Sequence, residues 1–290
     1  IFSLKILIFE NFIFSPLFCL FLILSIGVSH GALDHLKGKK LLKIFELKNI
    51  YIFYLIYIFM TLAVIILWTI IPSASLVVFL IVASFHFGKE DTQFLITENS
   101  YYNQLLFFLK GSMVILAPMF FHFDKTISIF KLLLIENESF YEILNFIETN
   151  NFILFGIILS TLSSILLFTR KFEVKKFTIF FDYFSILIIN YYFSPLIAFT
   201  VYFCFLHSIR HSINLINELD ENNLKNGLKI FIKKAIPLTV LTAIFCLFVL
   251  YLLNYSYNLD SSILKVIFIG LASLTFPHIL LEYFLEKNEK

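Results

Sequence analysis

Read for hydrophobic and polar positions, the chain divides into long apolar runs separated by short polar stretches. Nine runs stand out, at about 12–30, 50–71, 74–88, 104–121, 152–169, 177–193, 195–212, 235–256 and 263–283. Most approach the ~20 apolar residues that a helix needs to cross a bilayer. The runs are continuous instead of alternating, which favours helices over a membrane barrel. The pattern predicts an all-α polytopic integral membrane helical bundle of about nine transmembrane helices. No repeat, linker or soluble module interrupts it, so residues 1–290 are read as a single transmembrane domain. The first run has no small-x-small cleavage pattern and leads straight into His30, so it is read as a span and not as a signal peptide. Only Ser194-Pro195 separates the sixth and seventh runs. The longest polar gap, about 122–151, predicts a short amphipathic helix from Phe140 to Ile147 lying at the membrane interface.

Composition agrees with this picture. The chain is 60% hydrophobic and 14% charged, which excludes a soluble protein with one large core. A net charge of +2 carries no signature of a polyanion partner, and no nucleic acid is expected. The 39 Phe accompany many Ile, Lys, Asn and Tyr, all with AT-rich codons, so they do not by themselves mark a pocket. Cys19, Cys204 and Cys246 lie in apolar runs without a C-x-x-C, so no disulfide framework is indicated.

Loop charge predicts an orientation. Lys and Arg concentrate in the loops at 36–49, 170–176 and 213–234, whereas the opposite face has Lys5, Lys125 and Lys131. Nine alternating spans put the rich loops on one side, which the positive-inside rule makes cytoplasmic, with the N-terminus outside and the C-terminus inside. The expected location is the cell (inner) membrane.

The histidines follow this frame. Spans one, three, seven and nine run in the same direction, and each carries histidine near its cytoplasmic end: His30, His86, His207 with His211, and His278. His35 follows span one, and only His122 falls on the other face. His207 and His211 are four residues apart, on one face of an α-helix. Imidazoles gathered at one depth in a helical bundle are what a metal site needs. The competing reading is a set of core or interfacial histidines, each satisfied by a backbone carbonyl.

The motifs around these residues resemble one family. Gly27-Val28-Ser29-His30-Gly31-Ala32-Leu33-Asp34-His35, Phe85-His86-Phe87-Gly88-Lys89-Glu90-Asp91, His207-Ser208-Ile209-Arg210-His211 and Phe276-Pro277-His278 are similar, in order, to the four motifs of the Brp/Blh family of bacterial and archaeal β-carotene 15,15′-dioxygenases. The resemblance spans residues 27 to 278. It implies an integral membrane enzyme that uses Fe(2+) and O₂ to cleave β-carotene into two molecules of retinal, a product passed to a microbial rhodopsin. It further implies iron ligands at His30, His86, His207 and His211, with His35 and His278 at motif positions of undefined role.

A ligating imidazole usually donates its other N–H to an acceptor behind it. Asp34 is four residues after His30, Asp91 five after His86, and Glu282 four after His278. Asp182 lies inside the sixth span at similar depth, where it serves either the site or a structural bond to Tyr, Ser or Arg210. Asp34, His35, Asp91, Asp182, Arg210, His278 and Glu282 are therefore expected to hold the ligands or to face the substrate, with lipid headgroups as the other destination for Arg210. Gly27, Gly31 and Gly88 flank the ligands, either for close approach to the metal or for ordinary helix packing. A rhodopsin is rejected because Lys110 and Lys265 are not mid-membrane, and an intramembrane zinc protease because H-E-x-x-H is absent. A desaturase is rejected because there is one H-x-x-x-H. The alternative is a polytopic membrane metal or proton transporter using the histidine cluster.

Overall fold

The computed structural model describes residues 15–29, 31–96, 100–170 and 172–288. Among them there are helices and no strand. The helices are α1 (Pro16–Leu22), α2 (Asp34–Ile44), α3 (Ile50–Ile70), α4 (Pro72–Glu90), α5 (Tyr101–Gly111), α6 (Met113–Phe121), α7 (Phe123–Leu132), α8 (Glu138–Thr149), α9 (Phe152–Thr169), α10 (Phe177–Tyr192), α11 (Pro195–Val201), α12 (Ile209–Leu219), α13 (Leu224–Leu253) and α14 (Leu259–Asn288). Two π-helical stretches, Ile23–Gly27 and Tyr202–Ser208, continue α1 and join α11 to α12.

Eight helical runs among the described residues are long and apolar enough to cross a membrane. They coincide with eight of the nine expected spans. The remaining span is α10, which has 16 residues, or ~24 Å at 1.5 Å per residue, against a hydrocarbon core of ~30 Å. α13 begins at Leu224, well before the expected start at 235, because Asn223 caps it by accepting the Asn226 N–H at 3.1 Å. That extra length carries Lys225, Lys229, Lys233 and Lys234.

Local chemistry sets the breaks. Asn49 caps α3 through the Tyr51 N–H at 3.0 Å, and Pro72 opens α4 after Ile71 has left helical geometry. Ser194, extended at φ −63° and ψ 157°, ends the sixth run, and Pro195 starts the seventh. The Ser194-Pro195 divide is therefore a real break. Between α12 and α13, Asp220 accepts from the Asn226 side chain at 2.7 Å and from the Asn222 and Asn223 amides. These donors, the Asn226 amide first, hold its carboxyl below the usual range. The amphipathic helix expected over Phe140–Ile147 is α8, which buries no residue and exposes Ile143 and Phe146.

The chain divides into two compact units. The first comprises Ile1–Cys19 and Leu80–His207. Within it, α9 packs against α5, α6 and α10, and Leu95, Leu106, Phe107, Leu167 and Ile179 form a buried cluster. Lys176 reaches back to the carbonyls of Leu167 and Arg170, satisfying the end of α9. The second unit comprises Leu20–Phe79 and Ser208–Lys290. There α14 packs against α2, α3 and α13, and α12 lies on α13 over Ala32, Leu33, Leu215, Phe231 and Ala235.

Gly88 serves helix packing. A Cβ on it would lie 1.7 Å from the Phe107 carbonyl oxygen and 2.9 Å from the Gly111 nitrogen, both backbone atoms that cannot step aside. Gly31 meets nothing within 4 Å. Gly88→Ala is expected to separate α4 from α5 and destabilise the protein by ~1–3 kcal/mol or more. Gly270→Ala, where a Cβ also meets nothing within 4 Å, should be neutral or slightly stabilising. Thermal unfolding in detergent, read beside the yield of monodisperse protein, checks both.

Candidate active site

His207 lies in the π-helical stretch Tyr202–Ser208 of the first unit, with 1% of its surface exposed. A π turn inserts a residue into the helical repeat and re-aims the side chains around it, a deviation frequent at functional sites. His207 Nδ1 is 3.1 Å from Asp91 Oδ1, and the Tyr202 hydroxyl donates to Asp91 Oδ2 at 2.7 Å. An ionised carboxylate only accepts, so the ring donates from Nδ1 and keeps its lone pair on Nε2. Phe203 stacks beside the imidazole at 5.9 Å and 18°, and Phe87 meets it edge-on at 4.9 Å. His86 lies 5.2 Å away, ring centre to ring centre.

Asp91 thus stands behind His207, whereas its spacing suggests His86. Tyr202 carries no spacing signal beyond its place in the same run as His207. Glu90 is the other carboxylate of this motif. It is buried one helical turn after His86 and accepts from Gln93 Nε2 at 2.7 Å. For Asp182 the sequence offers Tyr, Ser or Arg210, and the structure supplies Lys110, with Nζ 3.9 Å from Asp182 Oδ2 and both side chains buried.

The second unit builds the same device from other residues. His278 Nδ1 is 2.9 Å from both Asp34 oxygens, and the Tyr57 hydroxyl donates to Asp34 Oδ2 at 2.9 Å. His278 and Asp34 are each 4% exposed. Asp34 therefore engages His278 across 244 residues of sequence, while spacing alone pairs it with His30. Glu282 Oε1 lies 3.5 Å from His278 Nε2 and receives Lys37 Nζ at 2.6 Å. His211 is buried, its ring centre 6.1 Å from that of His278. His35 Nδ1 lies 2.9 Å from the Ala32 carbonyl oxygen. Arg210 is half-buried on α12. His30 lies outside the described residues.

These donors fit a divalent transition metal. Imidazole and carboxylate suit iron among others, and an imidazole backed by a carboxylate is how proteins fix a ligand's tautomer and raise its basicity. Two imidazoles on one ion put their ring centres at most ~6.4 Å apart, from a metal–nitrogen bond of about 2.1 Å and a ring radius of about 1.1 Å each. The His86–His207 and His211–His278 pairs, each within its own unit, both respect that limit.

The Lys110–Asp182 pair is buried within the first unit. Lys110→Met takes the cation from beside a buried carboxylate and should cost ~3–5 kcal/mol, whereas the double variant with Asp182→Leu should recover most of the loss. Thermal midpoints of the two variants in detergent decide it.

Comparison with known proteins gives the geometry a family. The family model described as beta-carotene 15,15′-dioxygenase matches residues 21–286. A curated protein from an uncultured marine bacterium (66A03), named beta-carotene 15,15′-dioxygenase, is 28% identical over 271 residues, covering 90% of each chain. No solved structure matches significantly. Matched over nearly its whole length, the chain belongs to the β-carotene 15,15′-dioxygenase family.

Proposed function

We propose that this protein is an iron-dependent dioxygenase that cleaves β-carotene at its central 15,15′ double bond with O₂, giving two molecules of all-trans-retinal. The reaction balances without a further reductant, because both oxygen atoms are consumed, one in each C20 aldehyde. The observation that carries the reading is His207, held by Asp91 and Tyr202 inside an apolar helical unit, in a chain whose family match covers residues 21–286.

By the motif match, His30, His86, His207 and His211 would hold Fe(II), whose chemistry when bound is the activation of O₂. The residues of the chain do the rest. Asp91 keeps the His207 proton on Nδ1 and so presents Nε2 as the donor. Tyr202 fixes the carboxylate, and Phe87 and Phe203 pack the ring and exclude water from it. The apolar helices let a C40 polyene enter from the bilayer without crossing water. Retinal leaves by the same phase, towards a microbial rhodopsin. The chain is read as one catalytic domain in the cell (inner) membrane. The N-terminus is outside, and the C-terminus and the histidines are towards the cytoplasm, as the distribution of Lys and Arg supports.

Expression in carotenoid-producing cells tests the reaction. Loss of β-carotene with formation of retinal is expected. A shorter apocarotenal would move the cut off centre. Unchanged carotenoids, with the protein in the membrane, would sink the proposal, and metal flux in vesicles would turn it towards the transporter.

His207→Ala and His211→Ala should each abolish most retinal formation, and the double variant should be little worse than either. Asp91→Asn should weaken iron binding by ~10–100-fold. His122→Ala should leave iron content and turnover nearly intact. Iron per chain and retinal formed under O₂ check this series.

A further inference from the structure

His278 matches a family motif position to which the resemblance gives no role, yet it has the surroundings of a ligand. The arrangement Tyr57–Asp34–His278 repeats Tyr202–Asp91–His207 group for group: a tyrosine hydroxyl on a buried aspartate, and the aspartate on an imidazole Nδ1. In both, the ring is left with its lone pair on Nε2. The residues come from α2, α3 and α14, which pack on one another, so the imidazole is oriented by three elements. Pro277 precedes it and removes the helical bond to the Ser273 carbonyl, loosening the helix where the ring must turn.

What Nε2 faces within this unit is also suited to a metal. Glu282 Oε1 lies 3.5 Å from it. Two donors about 2.1 Å from one ion, at 90–110°, lie roughly 3.0–3.5 Å apart. Lys37 on that same carboxylate oxygen offsets the second negative charge and holds Glu282 towards the ring. The His211 ring is within the distance that one ion can span.

We infer that His278 is a further ligand of the proposed iron centre through Nε2, and that Asp34 is its positioning residue. This rests on the iron-dioxygenase reading. The competing arrangement is a closed network in which a protonated His278 bridges Asp34 and Glu282 without touching metal.

The experiment uses full-length protein in nanodiscs, titrated anaerobically with Fe(II) and separately with Co(II), whose ligand-field absorption reports its donors. His278→Ala is expected to weaken Fe(II) binding at least tenfold and to change the Co(II) spectrum. Asp34→Asn, nearly isosteric, should weaken binding by ~10–100-fold, and Asp34→Glu should recover part of that loss. His278→Gly with added imidazole should regain metal and the wild-type Co(II) bands. A His278→Ala protein with wild-type Fe(II) affinity and Co(II) spectrum, beside a His207→Ala protein that has lost both, would overturn the inference and leave the iron reading standing. Should His278→Ala fail to fold, unchanged Fe(II) affinity in Asp34→Asn overturns it equally. A wild-type protein that binds neither metal overturns the iron reading itself.

Discussion

A carboxylate cannot be left bare inside a helical bundle built for hydrocarbon, and that cost organises the chemistry of this chain. Two buried aspartates, one in each unit, are each answered by an imidazole and a tyrosine hydroxyl: Asp91 by His207 and Tyr202, Asp34 by His278 and Tyr57. The arrangement runs both ways. The imidazole N–H relieves the desolvated carboxylate, and the carboxylate fixes the tautomer and aim of the imidazole. In a low-dielectric interior a half-satisfied network is worse than none, so every member must be present. Asp182 has the Lys110 ammonium 3.9 Å away, a second buried charge beside it.

The backbone is adapted to these side chains. Both π-helical stretches lie next to family-motif residues: Ile23–Gly27 just before the first motif histidine, Tyr202–Ser208 around His207. Within the second unit the Ser208 hydroxyl donates to the Gly27 carbonyl at 3.1 Å. That bond satisfies a carbonyl at the irregular end of the first stretch, where a regular helix ladder is interrupted. Gly88 lets α4 approach α5 to backbone contact only two residues after His86, and so holds that motif against a rigid neighbour.

The helices that bear little chemistry show what the bilayer asks for. α3 exposes Leu55, Ile58 and Phe59, an apolar surface that water would not tolerate and lipid does. Its 21 residues span ~31 Å, close to the hydrocarbon thickness. Tyr57 is the exception on that helix, reaching Asp34 with its hydroxyl. α8 buries nothing of its own, as expected of a helix that floats at the interface.

Much of this was legible in the order of residues. Apolar run length dictates helices of membrane-spanning length, Ser194-Pro195 marks where one run ends and the next begins, and the histidine-bearing motifs, in order, point to the family. These signals are local, and local rules of hydrogen bonding and hydrophobicity decide them. Pairings were another matter. Spacing joined Asp34 to His30 and Asp91 to His86, because residues four or five apart share a helix face. The folded chain gives those carboxylates to His278 and His207, up to 244 residues away, and enlists Tyr57, Tyr202, Lys37 and Lys110, which carry no mark in the sequence. A buried charge takes the partner that packing brings within 3 Å or so, and only tertiary structure decides which residue that is.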